Sequence, residues 1–230
     1  MSDIKYCMDF YHVLNRGVDK RKVFLEDIDY VRFIHDMYEF NNRVSSNGLA
    51  SQRFNNDILD VRHQVYERGG RKLLVRIHCF ALMPNHYHLL LSPAVENGIP
   101  LFMKKLNAGY TKYFNNKNQR TGTLWQGGYK SVPIETDAHF NFIPYYIHFN
   151  PLDMFAPKWR TQCLAKPIRA MEFLENYRWS SHRDYLGLPN FPSVTDRSFF
   201  GGIVGTGALY KKSITRQLRG FVPDQSIALE

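Results

Sequence analysis

Two histidines separated by one residue carry the strongest chemical signal in this sequence. His86 and His88 lie in the run Asn85-His86-Tyr87-His88, which three leucines follow. The segment 87–92 is short, apolar and bounded by turn formers, which predicts a buried strand. Residues i and i+2 of a strand point to the same face, so both imidazoles share one face and Tyr87 lies on the other. Buried imidazoles are costly unless something binds them, and a divalent cation is a natural partner. The pattern alone equally allows two hydrogen-bonded surface histidines.

The composition favours a nucleic-acid partner. The 230 residues include 30 Lys and Arg against 21 Asp and Glu, a formal charge of +9, and 15% of them are aromatic. Cations follow phosphates and rings stack on unpaired bases, although a basic protein with a large aromatic core is the alternative. Cys7, Cys79 and Cys163 form neither a disulfide framework nor a zinc-finger spacing. Because no signal peptide or membrane-spanning run is visible, we expect a cytoplasmic protein with no membrane partner.

Hydrophobic periodicity predicts the elements that must position the two histidines. In chain order these are a strand over 10–16, a helix over 27–41, a strand over 73–82, the histidine strand, a helix over 99–116, a strand over 129–134 and a helix from 136 or 137 to 149. Residues 41–72 are rich in Asn, Ser, Arg and Gly, which indicates a basic, irregular insertion. A lone strand histidine such as His12 is typically structural.

The last of these helices brings a tyrosine and an asparagine together. Tyr146 and Asn150 are four residues apart, so they lie on one face near its C-terminal end. Asn150 precedes a proline and therefore ends the helix. Pro144 removes one hydrogen bond and predicts a kink just before Tyr146. Tyr145 points about 100° away around the helix, which predicts a core position for it.

In combination, these motifs resemble the single-tyrosine HUH transposases of bacterial insertion sequences, the IS200-like transposases. The term HUH describes two histidines that flank a bulky hydrophobic residue. The sequence is most similar to the REP-associated tyrosine transposases. The motifs that carry the resemblance are segments 11–17, 83–90, 124–127 and 146–151, and the resemblance covers residues 10 to 155.

The resemblance implies a fold and a domain organisation. The expected fold is α+β and ferredoxin-like, with an antiparallel central sheet flanked by helices. Residues 1–155 would form the catalytic domain, which contains the basic insertion 41–72. Residues 156–230 would form a C-terminal extension, with DNA contact as one possible role. This extension favours a monomer over a homodimer.

The resemblance also implies an activity and the residues that carry it. The family cleaves and rejoins single-stranded DNA, usually at the foot of a hairpin, through a covalent 5′-phosphotyrosine. By the match, His86 and His88 are metal ligands, Tyr146 is the nucleophile and Asn150 is the third polar ligand. The family implies Mg²⁺ or Mn²⁺, whereas ligand softness alone favours zinc or another transition metal. We expect DNA contacts from Arg16, Lys104, Lys105, Lys112, Arg120, Trp125 and Lys130. Each of these charges is equally compatible with a solvated surface, and Trp125 with a core position.

Two other functions fit parts of the sequence. A domesticated relative would grip a DNA or RNA hairpin without cutting it, which the +9 charge and the aromatic content would support. A metal-dependent hydrolase of small substrates would use only the histidine pair. The second is disfavoured because no carboxylate lies close in sequence to serve as a general base.

Overall fold

A four-stranded antiparallel sheet forms the centre of the protein. The computed structural model describes residues 9–43, 71–162 and 164–220. In these residues the sheet has the order β2-β3-β1-β4, and every strand pair is antiparallel. The strands are β1 (Tyr11–Arg16), β2 (Val75–Met83), β3 (His86–Pro93) and β4 (Lys130–Pro133). This strand order, with a described helix between β1 and β2 and another between β3 and β4, confirms the α+β, ferredoxin-like prediction.

The predicted helices are present within one or two residues of their expected bounds. They are α1 (Asp27–Glu39), α2 (Gly98–Lys117) and α3 (Asp137–Phe149). The later helices are α4 (Leu152–Phe155), α5 (Pro167–Asn176), α6 (His182–Tyr185), α7 (Ser198–Val204) and α8 (Gly207–Arg219). In the described residues, none of these helices is long and apolar enough to cross a membrane. The predicted insertion 41–72 lies almost entirely outside the described residues.

Helices α1 and α2 cover one side of the sheet, which we call the α1/α2 face. Alternate residues of β3, namely Tyr87, Leu89 and Leu91, enter this core and are fully buried. The Tyr87 hydroxyl donates a hydrogen bond to Asn107 Oδ1 of α2 at 2.8 Å. Buried Asp29 of α1 links the two helices through an ion pair, because its Oδ1 lies 2.6 Å from Lys117 Nζ of α2.

Helix α3 and the C-terminal helices cover the other side, which we call the α3 face. Leu90 of β3 and Cys79 and Ala81 of β2 point into this second core. Helix α3 begins after Thr136, whose Oγ1 accepts a hydrogen bond from the His139 backbone at 3.2 Å, as expected for an N-cap. Because side chains alternate along a strand, the residues of β3 that share this face with Leu90 are His86 and His88.

The C-terminal part of the chain contributes to both faces: Trp179 and Phe191 belong to the core of the α1/α2 face, and α7 and α8 pack onto the α3 face. The segment around Trp179 extends the edge of β2, because the Leu82 backbone donates to the Trp179 carbonyl at 2.9 Å. Phe200 and Tyr210 are fully buried in the core that α3 also enters. The division of the chain at residue 155 remains a prediction.

Candidate active site

The histidine pair lies at the start of β3 with both rings on the α3 face. The centroids of His86 and His88 are 5.1 Å apart, and the rings are nearly perpendicular. His88 is fully buried and His86 is 6% exposed. Tyr87 faces the opposite core, so the predicted separation of these three side chains is confirmed.

Each of the two rings is oriented through its Nδ1 atom. His86 Nδ1 lies 2.6 Å from Asn85 Oδ1, and because an amide oxygen only accepts, Nδ1 carries the proton. His88 Nδ1 lies 2.7 Å from His12 Nε2 of β1. When His88 Nδ1 donates this bond, the lone pair of His88 is on Nε2. Among the residues that the structure describes, no hydrogen-bond partner reaches that buried Nε2 atom. A histidine that ligates a metal has this arrangement, with one nitrogen anchored and the other directed at the ion.

His12 was interpreted from sequence as structural, but it lies in the site. Its ring is fully buried and stacks on His88 at 5.0 Å between centroids, with 13° between the planes. In the antiparallel register, His12 pairs with Leu90, so His88 is its diagonal neighbour on the same face. The sequence could not reveal this contact, since the contact depends on the register between two strands more than 70 residues apart.

Tyr146 is the tyrosine of α3 that faces the histidines. Its ring centroid lies 6.0 Å from that of His12 and 6.2 Å from that of His88, and both contacts are edge-on. The adjacent Tyr145 instead stacks on Tyr210 of α8, with planes 7° apart. Its core position agrees with the prediction from helix geometry.

Asn150 is anchored at the C-terminal end of α3, and both ends of its amide are engaged. The Nδ2 atom donates to the Tyr146 carbonyl at 2.8 Å, and Oδ1 accepts from Arg160 Nη2 at 2.5 Å. Arg160 also pairs with Asp153, and its guanidinium lies 5.6 Å from the centroid of the Tyr146 ring. Sequence analysis missed Arg160, because no motif or periodicity links it to a residue ten positions earlier.

The electrostatics of the site keep His88 neutral. Burial lowers its pKa well below the usual value, and the neighbouring rings of His12 and His86 lower this pKa further. The charges of Arg160 and Arg16 act in the same direction. Neutral imidazole is the form that binds metal ions, so this environment favours ligation over protonation.

The chemistry of these side chains fits one divalent cation. In the described ranges, no group of three or more His, Cys, Asp or Glu side chains is arranged to hold a metal. A cation at this place would therefore use two imidazoles together with an amide oxygen. The orphan Nε2 of His88 suits such an ion. Asn150 Oδ1 has two lone pairs, so it can accept from Arg160 and still face an ion.

Two of the predicted DNA-contacting residues lie together beside the site. Arg16 and Lys130 line a cleft of about 180 Å³, together with Asn15, Gln126 and Gly128. Arg16 is also the strand partner of His86. A phosphate in this cleft would therefore lie next to the histidine pair.

The other predicted contacts lie elsewhere. Lys104, Lys105 and Lys112 are on α2, which packs on the α1/α2 face, opposite the histidines. Arg120 lies in the loop after α2 and donates to Asn115 Oδ1 at 2.9 Å. The structure does not bring these four cations to the histidine pair.

Of the two positions that the sequence allowed for Trp125, the structure shows the one in the core. The side chain is only 7% exposed and belongs to the core of the α1/α2 face. Its ring packs edge-on against Tyr87 at 5.3 Å, and its Nε1 donates to the Asn107 carbonyl at 3.4 Å. The large apolar surface of the indole is better buried than exposed, and its one donor finds a partner in the core.

Comparison with known proteins agrees with the motifs. Residues 49–150 match the model of the family described as "Transposase IS200 like", the family that the motifs resemble. A solved structure titled as a REP-associated tyrosine transposase bound to a REP hairpin aligns with a TM-score of 0.42 at 11% identity. That alignment covers 85% of this chain and 94% of the other. No curated protein gives a significant match.

Proposed function

We propose that this protein cleaves and rejoins single-stranded DNA through a covalent 5′-phosphotyrosine at Tyr146. One observation carries the proposal: the Tyr146 ring stands edge-on to His88, whose outward nitrogen is buried and has no hydrogen-bond partner among the described residues. The ring of the proposed nucleophile thus lies 6.2 Å, centroid to centroid, from that of one of the two proposed metal ligands. The family match supplies the class of reaction, which is DNA strand transfer.

The reaction needs help because a tyrosine phenol has a pKa near ~10 and is a poor nucleophile at neutral pH. A divalent cation, Mg²⁺ or Mn²⁺, held by His86, His88 and Asn150 would neutralise the scissile phosphate and orient it. The Tyr146 oxygen forms a bond to phosphorus, and the bond from phosphorus to the 3′ oxygen breaks. The phenol proton leaves to solvent, and the 3′ oxygen takes up a proton. Because the phosphodiester energy is kept in the covalent link, the strand can be rejoined without ATP.

The protein's own contacts define how the nucleophile is held. Asn150 bonds to the Tyr146 carbonyl, and Tyr145 packs on Tyr210, so both sides of α3 are fixed. His148 of α3 lies 2.6 Å from the Tyr210 hydroxyl through Nδ1 and 2.8 Å from Ser181 Oγ through Nε2. These contacts tie the tyrosine helix to the C-terminal extension of the same chain. They support a monomer that keeps its own tyrosine helix.

The proposed substrate is unpaired DNA next to a hairpin, as in the REP-associated branch that the motifs resemble. Arg16 and Lys130 would bind backbone phosphates in the cleft beside His86. The narrow cleft and the buried site favour a single strand over a duplex, because a duplex cannot bring one backbone so close to a recessed tyrosine.

A second candidate function is hairpin binding without cleavage. It is favoured by the sparse set of metal ligands, because no group of three or more His, Cys, Asp or Glu side chains in the described ranges is arranged to hold a metal. A protein without a bound cation would bind nucleic acid and would not cut it.

A denaturing gel separates the two functions. The protein is mixed with labelled single-stranded hairpin DNA from the flanks of its own gene, with Mg²⁺ or Mn²⁺. We expect a protein–DNA band that survives denaturant, is absent with EDTA and is absent in Tyr146→Phe. Tyr145→Phe is the matched control and should keep the band. Binding on a native gel without any covalent band would contradict the nuclease and support the hairpin-binding protein.

A further inference from the structure

The segment that follows the family match folds back over the site and supplies a cation to it. Residues 151–162 continue from α3 through α4 into a turn. Trp159 of this turn is 1% exposed, and its ring lies 6.4 Å from that of Tyr146. Asp153 connects two residues of this turn: its Oδ1 accepts a hydrogen bond from Trp159 Nε1 at 2.7 Å and also pairs with Arg160. The turn is therefore fixed by buried apolar packing and by a shared carboxylate.

Arg160 is held beside Tyr146 and Asn150 by contacts with four side chains. Its guanidinium lies over the Trp159 ring at 4.6 Å and 5.6 Å from the Tyr146 centroid. Nη2 donates to Asn150 Oδ1 at 2.5 Å, and Nη1 pairs with Asp153. The side chain is 25% exposed, so it is ordered by the protein but still accessible to a ligand.

Arg160 is placed so that its guanidinium can bind an anion in addition to its contacts within the protein. A guanidinium offers five donors in a planar fork and can hold an amide oxygen and a phosphate oxygen at once. Three of its neighbours carry no charge: the Tyr146 phenol, the Asn150 amide and the Trp159 indole. Asp153 pairs with Nη1 and offsets the guanidinium charge. A ligand beside Tyr146 and Asn150 would therefore meet guanidinium donors that are already held in place.

We propose that Arg160 binds the scissile phosphate directly and, with Asn150, sets the position of that phosphate relative to the Tyr146 hydroxyl. The proposal rests on the proposed function for the identity of this phosphate. It assigns to the C-terminal extension a residue of the active site, although the extension lies beyond the part of the chain that matches the family model.

The test measures coupling between the guanidinium and single phosphates in DNA. Tyr146→Phe protein in EDTA binds fluorescent hairpin oligonucleotides, each with one phosphate of the unpaired strand replaced by a neutral methylphosphonate. The same series is measured with Tyr146→Phe/Arg160→Gln. We expect one position at which the replacement weakens binding about tenfold for the Arg160 protein and has no effect on the Gln variant. The dependence of log affinity on log salt should also fall by about 0.7 in the Gln variant, the loss of one single-strand phosphate contact.

Two further variants separate phosphate binding from structural support. Asp153→Asn removes the carboxylate that anchors the turn but keeps the guanidinium, so the coupling should persist in it. Arg178→Gln removes a guanidinium that lies over Trp179 at 4.7 Å, a similar setting outside the site, and should leave the whole series unchanged. Circular dichroism melting of each variant checks that it is folded.

The outcomes distinguish this inference from the proposed function. A single coupled position that coincides with the cleavage site of the unsubstituted protein supports both. A single coupled position without any cleavage keeps Arg160 as a phosphate ligand and overturns the nuclease. The role of Arg160 would be overturned if each methylphosphonate weakened binding equally in the Arg160 protein and in the Gln variant, or if the Gln variant bound DNA more tightly. This would hold even if the covalent band forms.

Discussion

The two faces of the sheet use the same strands for different purposes. On the α1/α2 face, β3 contributes Tyr87, Leu89 and Leu91 to a core in which the aromatic rings pack on one another. On the α3 face, the same strand contributes His86 and His88, and the neighbouring elements add further buried imidazoles. The buried histidines His12, His78, His88, His148 and His182 are all fully inaccessible to solvent.

The difference shows how one small domain combines stability with chemistry. The apolar face gains free energy from every side chain that it removes from water. The α3 face also buries imidazoles, and within the described residues His78 Nδ1, His88 Nε2 and His182 Nε2 have no hydrogen-bond partner. Each such atom lowers the stability that the same volume of hydrocarbon would give. We infer that the α1/α2 face stabilises the sheet and thereby allows the α3 face to hold its histidines neutral and in place.

The largest contrast is expected between two adjacent residues of β3. Leu89→Ala should lower the free energy of unfolding by about 2–5 kcal/mol, because it leaves a cavity in the apolar core. His88→Ala should cost less: it removes one hydrogen bond, to His12, but it also removes a buried Nε2 atom that has no hydrogen-bond partner among the described residues. Covalent adduct formation should show the opposite order and fall more in His88→Ala than in Leu89→Ala. The loss in His88→Ala should exceed about 100-fold, because removing a group that only orients a metal ligand typically costs about 10- to 100-fold.

Urea unfolding and the adduct gel measure the two effects separately. If His88→Ala lowered the free energy of unfolding as much as Leu89→Ala does, the inference that the α1/α2 face provides the stability and the α3 face the chemistry would be wrong.

A smaller effect is expected at His12, which would orient His88 through the 2.7 Å contact between their rings. His12→Ala should weaken Mn²⁺ affinity about 10- to 100-fold, as is typical for a partner of a metal-ligating histidine. His12→Gln keeps an oxygen that can accept from His88 Nδ1 and should recover part of the affinity. Electron paramagnetic resonance of Mn²⁺ without DNA measures this directly. Unchanged affinity in His12→Ala would argue for a purely structural ring.

Acid should destabilise the α3 face in particular. Burial lowers the pKa of His182 to about 3, and the charges of Arg183 and Lys211 lower it further; burial likewise lowers the pKa of His78 to about 4. An unfolded histidine has a pKa near ~6.5, so the unfolded state binds protons first as the pH falls. Each such histidine should therefore reduce the free energy of unfolding by about 1.4 kcal/mol per pH unit below about pH 6.5.

Urea titrations at pH 7.5, 5.5 and 4.5 test this sign. The slope of the unfolding free energy against pH should be smaller in His182→Gln, by the uptake of about one proton. If the unfolding free energy of the unsubstituted protein did not change with pH, the buried histidines would not be neutral in the folded state.

The smallest effect is expected for single surface cations. Lys130→Gln should weaken binding of single-stranded DNA a few-fold and reduce the salt dependence by about one phosphate contact, because Lys130 lines the cleft with Arg16. Lys112→Gln changes the same charge on α2 and should have no comparable effect. Fluorescence anisotropy at several salt concentrations makes the comparison. Equal losses in the two variants would mean that DNA also follows the α1/α2 face.

Part of this site could be predicted from the sequence because it depends on short-range geometry. The alternation of a strand placed His86 and His88 on one face, and the rotation per residue of a helix separated Tyr146 from Tyr145. Trp125 shows the limit of the same reasoning. Its residue type was compatible with a DNA contact and with a core position, and only the structure shows that the loop turns the indole into the core, where Tyr87 and Asn107 contact it.

The sequence by itself determined the elements, their order, the shared face of the histidine pair and the resemblance to the IS200-like transposases. Hydrophobic period and local motifs act over a few residues, so they can be recognised without a fold. Tertiary structure alone decided that His12 stacks on His88 and that Arg160 bonds to Asn150. The first contact depends on strand register and the second on how a turn packs over α3. Both are set by the burial of distant apolar side chains, and no local pattern of residues records that burial.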